Sequence, residues 1–362
     1  MKHDTGRHSA AALAILAAVC YGFSVPLSKL LLLSIPPVLL AALLYLGAGM
    51  GMAALRLLTA KRGGGFAEAR MTRKDIPFAA AMIALDVAAP VFLLLGLSKA
   101  SPGSAALLGN FEIAATALIA MLFFHESVGR RMWWVIAMIT LACFLLSVED
   151  LSSFAFSAGS LYVLLACACW GLENNCTRVL SVKDPMQIVV WKGFGAGLGA
   201  LLTALFLGQT AAAPLPVVLS LLLGFAAYGL SIYFYIYAQR TLGAARTSAY
   251  YAFAPFIGVG LSALLFGQPL TAAFLAALAL MVCGAWLAAR ENHSHAHIHP
   301  QLTHEHRHRH DDGHHTHLHP AAVHGAHSHA HTHEAMEHTH PHTPDIHHAH
   351  AHGEKAQEHA AR

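Results

Sequence analysis

Leu16-Ala17-Ala18-Val19-Cys20-Tyr21-Gly22 returns as Leu165-Ala166-Cys167-Ala168-Cys169-Trp170-Gly171, and the match continues in register. Ser28-Lys29 falls on Thr177-Arg178 and Pro36 on Pro185, at a constant offset of 149. Further along, Ala120–Phe124 falls on Ser262–Phe266 and Glu126 on Gln268, at an offset of 142. One unit is thus written twice, and each copy is a block of apolar, span-length segments. Two homologous blocks in a bilayer are a recurring architecture of secondary transporters, with the solute held where the copies meet.

Working outward from that repeat, the composition agrees. Of 362 residues, 56% are hydrophobic and 11% are Asp, Glu, Lys or Arg, where a soluble chain carries roughly a quarter charged residues. Crossing the hydrocarbon core takes about 20 apolar helical residues. Such runs lie near 10–33, 36–58, 76–98, 101–124, 131–149, 158–181, 186–208, 215–239, 244–266 and 270–289. The predicted class is an all-α integral membrane protein of ten helices. Its predicted organisation is a cytoplasmic N-terminus at 1–8, a first five-helix unit at 9–150 and a periplasmic linker at 151–157. A second unit follows at 158–290, then a disordered cytoplasmic tail at 291–362. The first segment lacks a small-residue cleavage site, which argues against a removed signal peptide.

Eighteen Lys and Arg residues precede the tail, and fifteen of them lie at the ends of the repeat region or in alternate loops. The opposite loops offer only Lys99, with Lys29 at the end of the first span, and one carries Glu149-Asp150. The positive-inside rule then places both termini in the cytoplasm of an inner (cell) membrane. Five spans per unit is an odd number, so the two copies run in opposite orientations, an inverted repeat. The six cysteines all fall inside proposed spans without a Cys-x-x-Cys pair, so they read as small core residues. Catalysis is not indicated, because no nucleophile–base set appears. Gly63-Gly64-Gly65 lacks the Gly-Lys-Ser/Thr of a phosphate loop. Nothing points to nucleic acid, and a homodimer is left open.

Tyr21-Gly22-Phe23-Ser24-Val25-Pro26-Leu27-Ser28-Lys29 resembles the Trp-Gly-Ser-Asn-Phe-Pro-x-x-Lys opening of the EamA-type drug/metabolite transporter superfamily. Leu242-Gly243-Ala244-Ala245-Arg246-Thr247-Ser248, then Pro255 and Phe266-Gly267-Gln268, resemble that family's ninth-helix signature. Phe124-His125-Glu126 resembles the acidic end of its fourth helix, and Gln268 departs from the usual Glu in the second copy. The resemblance covers residues 10–290. It implies ten helices, cytoplasmic termini, a central cavity between the halves, and fifth and tenth helices at the periphery. It does not imply a substrate.

Ionisable groups inside spans are costly and usually face a cavity or a partner. Four are present: Asp86, Glu112, Glu173 and Lys192. Asp86 and Glu112 lie thirteen residues either side of Lys99, in the hairpin of the third and fourth spans, which places both roughly 20 Å from the turn. If their faces meet, two carboxylates share one apolar site, and repulsion and desolvation favour a shared proton or a bound cation. Glu173 and Lys192 are level across the next cytoplasmic turn, shallower than the first pair, and are expected to form an ion pair that lines or latches the cytoplasmic half. Asn174 reaches Arg178 at i+4. Asn175 and Asn110 complete the polar set. They line the same region or, the duller alternative, join helices by hydrogen bonds. The counterparts of Glu173 and Asp86 in the other copy are Ser24 and Tyr228. Tyr228 is deep enough to touch a solute, whereas Tyr233, Tyr235, Tyr237 and Tyr250 fit an interfacial aromatic belt. Pro26, Pro90 and Pro255 can kink their spans and free carbonyls toward a cavity.

From His293 to His359 there are 25 histidines in 67 residues, mostly as His-x-His. His293, His295, His297, His299, His304, His306, His308, His310, His314, His315, His317 and His319 are the densest set. Neutral imidazoles suit Zn²⁺, Ni²⁺, Co²⁺ and Cu²⁺, and the absence of apolar periodicity predicts disorder. The expected function is proton-coupled export of a small organic metabolite or drug, with Asp86 and Glu112 as coupling groups and a metal-binding tail that regulates it. No cofactor is required. Efflux of divalent metal fed by the tail is the alternative, and a membrane-tethered metal store or sensor that transports nothing is the third reading.

Overall fold

The computed structural model describes residues 2–61, 71–124, 130–150, 155–180, 183–210, 213–242, 247, 250–251, 253–267 and 270–289, with 293–299, 302–308, 327–333 and 336–342 in the tail. The first copy runs α1 (Lys2–Gly22), α2 (Ser24–Leu31), α3 (Pro37–Lys61), α4 (Ile76–Lys99), α5 (Pro102–Leu108), α6 (Phe111–Phe124) and α7 (Arg130–Ser147). A short ribbon pairs β1 (Val148–Asp150), just before the expected linker, with β2 (Ala155–Phe156) inside it. The second copy runs α8 (Ala158–Leu180), α9 (Pro185–Phe206), α10 (Pro214–Gly224), a π-helical stretch at Phe225–Leu230, α11 (Ser231–Leu242), α12 (Ala254–Phe266) and α13 (Ala272–Ala289).

Among the described residues, seven helical stretches are long and apolar enough to cross a membrane: Ser9–Leu31, Pro37–Thr59, Arg73–Lys99, Pro102–Phe123, Arg130–Ser147, Pro185–Phe206 and Pro214–Ala238. Ala254–Phe266 and Ala272–Leu287 are apolar but shorter. Helix α8 has 23 residues, with Glu173-Asn174-Asn175 inside it.

Several spans are interrupted at the depth of the polar residues. The first breaks at Phe23 between α1 and α2, three residues before Pro26, and the fourth breaks at Gly109-Asn110 between α5 and α6. Pro255 opens α12 just after a further break. Pro90, in contrast, sits inside an unbroken α4. Irregular backbone at membrane depth survives only where protein or a polar cavity satisfies its freed groups. Here Asn110 serves the fourth-span break: its backbone N–H (3.0 Å) and its Nδ2 (3.3 Å) both donate to the Leu107 carbonyl.

Helix α3 packs on α9 and α7 on α13, each a pair of elements at corresponding positions in the two copies, and α5 packs on α12. Helix α4 packs on α8 as α1 packs on α11, and α6 on α8 as α12 on α1. In lipid, apolar burial does not drive helices together, so close backbone approach through small residues does. The repeated glycines show this. A Cβ on Gly22 would stand 2.7 Å from the Ala254 carbonyl oxygen, and one on its counterpart Gly171 would stand 2.9 Å from Thr116 N. Where α3 crosses α9, a Cβ on Gly193 would fall on the Gly49 backbone. Buried Leu40, Leu44, Leu94, Leu97, Leu107 and Ile139 fill the space between these contacts.

The ends of the bundle are tied by charge. On one side Lys29 Nζ donates to the carbonyls of Leu97 (2.5 Å) and Ala100 (3.1 Å) at the end of α4, the place where a helix dipole favours a cation. On the other, Asp184 caps α9 by accepting from Met186 N at 2.9 Å and pairs with Arg56 Nη2 at 2.9 Å. Lys183 Nζ lies 3.2 Å from Asp75 Oδ2. Both ion pairs join the first copy to the second.

In the tail, β3 (His293–His299) pairs antiparallel with β6 (Met336–His342), and β4 (Leu302–His308) with β5 (His327–His333). The sequence led us to expect no regular structure there. The His-x-His alternation has the two-residue period of a strand, and the pairing sets His295 opposite His340 and His306 opposite His329. His310, His314, His315, His317 and His319 lie outside the described residues, as do His125, Glu126 and Gln268 of the family-like motifs.

Candidate functional site

Lys192, on α9, is the hub. Its Nζ lies 2.9 Å from Glu173 Oε1, the expected ion pair, and 3.3 Å from Asp86 Oδ2 on α4. The second contact goes beyond the sequence reading. The pair read as shallower also meets Asp86, because the long lysine side chain spans the difference in level. One cation is thus shared by two carboxylates from different copies, with Asp86 1% and Glu173 2% exposed.

The remaining partners make the two acids unequal. Glu173 Oε1 also accepts from Thr177 Oγ1, one turn along α8. Asp86 Oδ1 accepts from the Tyr45 hydroxyl at 3.1 Å. Asp86 Oδ2 has the Lys192 ammonium at 3.3 Å and, among the described residues, no hydrogen bond of ordinary geometry. A pair of this kind adds little net stability, because removing three charges from water costs about what their attraction returns. Such groups inside a membrane usually mark a solute or ion path.

Glu112 forms a second centre. The break at Asn110 starts α6 in mid-span, so Glu112 falls in the first turn of a new helix, where the dipole favours a carboxylate. Asn174 Nδ2 donates to Glu112 Oε1 at 2.7 Å and lies 3.3 Å from Thr116 Oγ1. Asn174 therefore serves Glu112, which the i+4 reading toward Arg178 did not anticipate. The side chain of Arg178 lies outside the described residues. Asn175 donates to the Thr116 carbonyl at 3.2 Å and the Gly171 carbonyl at 2.8 Å, joining α8 to α6. Asn175 and the buried Asn110 accordingly hold backbone in place.

Sequence reasoning missed an aromatic row that begins at Tyr45, the donor to Asp86. Ring centroids are 5.3 Å apart for Tyr45–Tyr228, 6.0 Å for Tyr228–Tyr21, 5.7 Å for Tyr21–Tyr251 and 5.0 Å for Tyr251–Tyr235. Tyr228 enters the row from the π-helical stretch, whose wider turn re-aims side chains. Tyr235, expected in an interfacial belt, joins the row through Tyr251. Ser231 Oγ donates to the Ala17 carbonyl at 2.9 Å and lies 3.3 Å from the Tyr251 hydroxyl. The residues were visible in the chain, but their convergence from α1, α3, the π stretch and the ninth-span segment was not.

Comparison with known proteins agrees with this architecture. The EamA-like transporter family model matches twice, at residues 8–148 and 157–290. The chain is 28% identical over 271 residues to an uncharacterized transporter of Methanothermobacter thermautotrophicus, covering 70% of this chain and 78% of that protein. A protein of known crystal structure superposes with a TM-score of 0.57 at 18% identity, covering 78% of this chain and 97% of its own, a likeness of fold alone. With both copies matched over most of its length, this multi-pass membrane chain belongs to the EamA-like transporter family.

Proposed function

We propose that the protein is a proton-coupled secondary transporter that exports a small organic metabolite or drug across the inner membrane, both termini in the cytoplasm. In this reading ten spans form two inverted five-helix units. Five spans per unit and the Lys and Arg bias of alternate loops support the inversion. Alternating access then rocks one unit against the other about the crossing of α3 and α9.

The observation that carries the reading is Lys192 held between Asp86 of one copy and Glu173 of the other. Protonating either acid removes one of its two attractions, and Lys192 then follows the remaining carboxylate. Because the acids sit on different units, that shift favours a different arrangement of the units. Proton uptake thereby becomes movement, with energy supplied by differential interaction in the two states. Glu112, with its own donor Asn174, is the second proton-accepting group. Asp86 and Glu112 thus keep their proposed coupling roles as two separate sites.

Compare metabolites and drugs exported by cells with and without the chain, then collapse the proton gradient with a protonophore. Export that depends on the chain and stops with the gradient is expected. An unchanged export profile, or efflux indifferent to the protonophore, rejects the reading.

The tail is proposed to bind Zn²⁺, Ni²⁺, Co²⁺ or Cu²⁺ and to regulate transport. The density of imidazoles in the sequence supports metal binding. Among the described residues, tail strands included, no group of three His, Cys, Asp or Glu is placed to hold a metal.

A further inference from the structure

We propose that a groove on the outer face of α7 holds one acyl chain of an anionic phospholipid, with the lipid phosphate on Arg130. This site faces the surrounding bilayer and is independent of the cargo and of proton coupling.

Shape comes first. Trp133, Ile136, Ala137, Thr140, Leu141 and Phe144 line an open, almost wholly apolar groove of about 480 Å³ along α7. Buried Ile136 lies at its base, while Trp133, Leu141 and Phe144 stand exposed. The short side chains of Ala137 and Thr140 leave a hollow between the bulky Trp133 and Phe144. From Trp133 to Phe144 the helix rises about 16 Å, close to the ~15 Å that one leaflet contributes to the hydrocarbon core. A trough of that length, parallel to the helix and without polar partners, suits a single extended lipid tail.

Charge decides which lipid. Arg130 is the first residue of α7 and its side chain is exposed. It precedes Trp133 by three residues and Ala137 by seven, so it falls on the stripe that carries the groove. Its place about 4–5 Å beyond Trp133 along the axis puts the guanidinium past the aromatic ring, at headgroup level. Arg131 adds a second positive charge at the same end. Helices α7 and α13, which pack together, contain no Asp or Glu, so neither supplies a carboxylate there. A guanidinium receives a phosphate through paired hydrogen bonds. Phosphatidylcholine also offers a phosphate but brings its own cation, whereas phosphatidylglycerol keeps a net negative charge.

A second copy of the chain fits this face less well. Two copies with the same membrane orientation pair about an axis along the bilayer normal, so α7 would meet α7 in parallel. Arg130 would then oppose Arg130, and the rims at Trp133 and Phe144 would hold the helices apart at Ala137.

The test places the full-length protein in phosphatidylcholine nanodiscs with a trace of photoreactive lipid. The probes are phosphatidylglycerol and phosphatidylcholine carrying the same diazirine-tagged acyl chain, and labelled residues are mapped by mass spectrometry. Residues 133–144 should be labelled about fivefold more by the phosphatidylglycerol probe. Exposed Leu202 and Phe206 of α9 should be labelled by the two probes to within about twofold. Arg130→Gln should bring labelling of 133–144 by the two probes to within about twofold as well. Ala137→Leu, which fills the hollow, should lower labelling of 133–144 by both probes and leave α9 labelled as before. Competition between probes on the unaltered protein needs no variant to fold. The inference is overturned by equal labelling of 133–144 by the two probes, or by a monodisperse Arg130→Gln protein that keeps the preference. A dimer by light scattering that Ala137→Leu dissociates would also overturn it, assigning the groove to a second copy.

Discussion

Replacing Lys192 with methionine keeps side-chain length and removes the charge. The variant leaves Asp86 and Glu173, 1% and 2% exposed, facing each other without their shared cation. Removing one partner of a buried ion pair costs about 3–5 kcal/mol, chiefly because the charge left behind is neither solvated nor paired. Tyr45 and Thr177 still donate to the two acids, so the lower half of that range is expected. The comparison that isolates the cause is Asp86→Asn/Glu173→Gln/Lys192→Met, in which all three groups are neutral and similar in shape. If burial of unpaired charge is the cause, the triple variant recovers most of the stability lost in Lys192→Met. The assay is unfolding free energy by denaturant titration in mixed micelles, alongside the yield of monodisperse protein. A Lys192→Met protein as stable as wild type, or a triple variant no better than the single one, would refute the hub. Gradient-driven transport should be lost in both variants whatever their stability.

Three further outcomes follow from the packing and the ends of the bundle. Gly193→Leu should cost at least about 1–3 kcal/mol through overpacking at the crossing of α3 and α9. Thermal denaturation followed by size-exclusion chromatography reads that loss, and normal behaviour would show that the two backbones do not meet as described. Exchanging Asp75 and Lys183, which join the two copies at 3.2 Å, should cost about 1 kcal/mol in each single reversal and restore stability in the double swap. A double swap no better than either single variant would remove the ion pair from the account. Truncation after Arg290 should abolish Zn²⁺ binding by isothermal titration calorimetry while leaving export competent, and undiminished zinc stoichiometry would move the metal site into the helices.

The duplicated strings and the span-length apolar runs were legible from residues alone. In a bilayer, length and hydropathy constrain a helix more tightly than in water, because no backbone group can be left to solvent. The Glu173–Lys192 pair was likewise readable, since both residues lie at matching distances from one turn. What sequence could not supply was the third direction. Period and depth place Asp86 and Glu112 near one level but do not say which face of α4 meets α9 and which meets α6. Only the packing, with Gly195 of α9 against Ile83 of α4 and Gly171 of α8 against Ala115 and Thr116 of α6, turned Asp86 toward Lys192 and Glu112 toward Asn174. The tyrosine row has the same origin. Its members are scattered from Tyr21 to Tyr251, and the π stretch that carries Tyr228 leaves no periodic mark in the chain. Local sequence determines which segments cross the membrane; the close approach of backbones distant in the chain decides which side chains share a site.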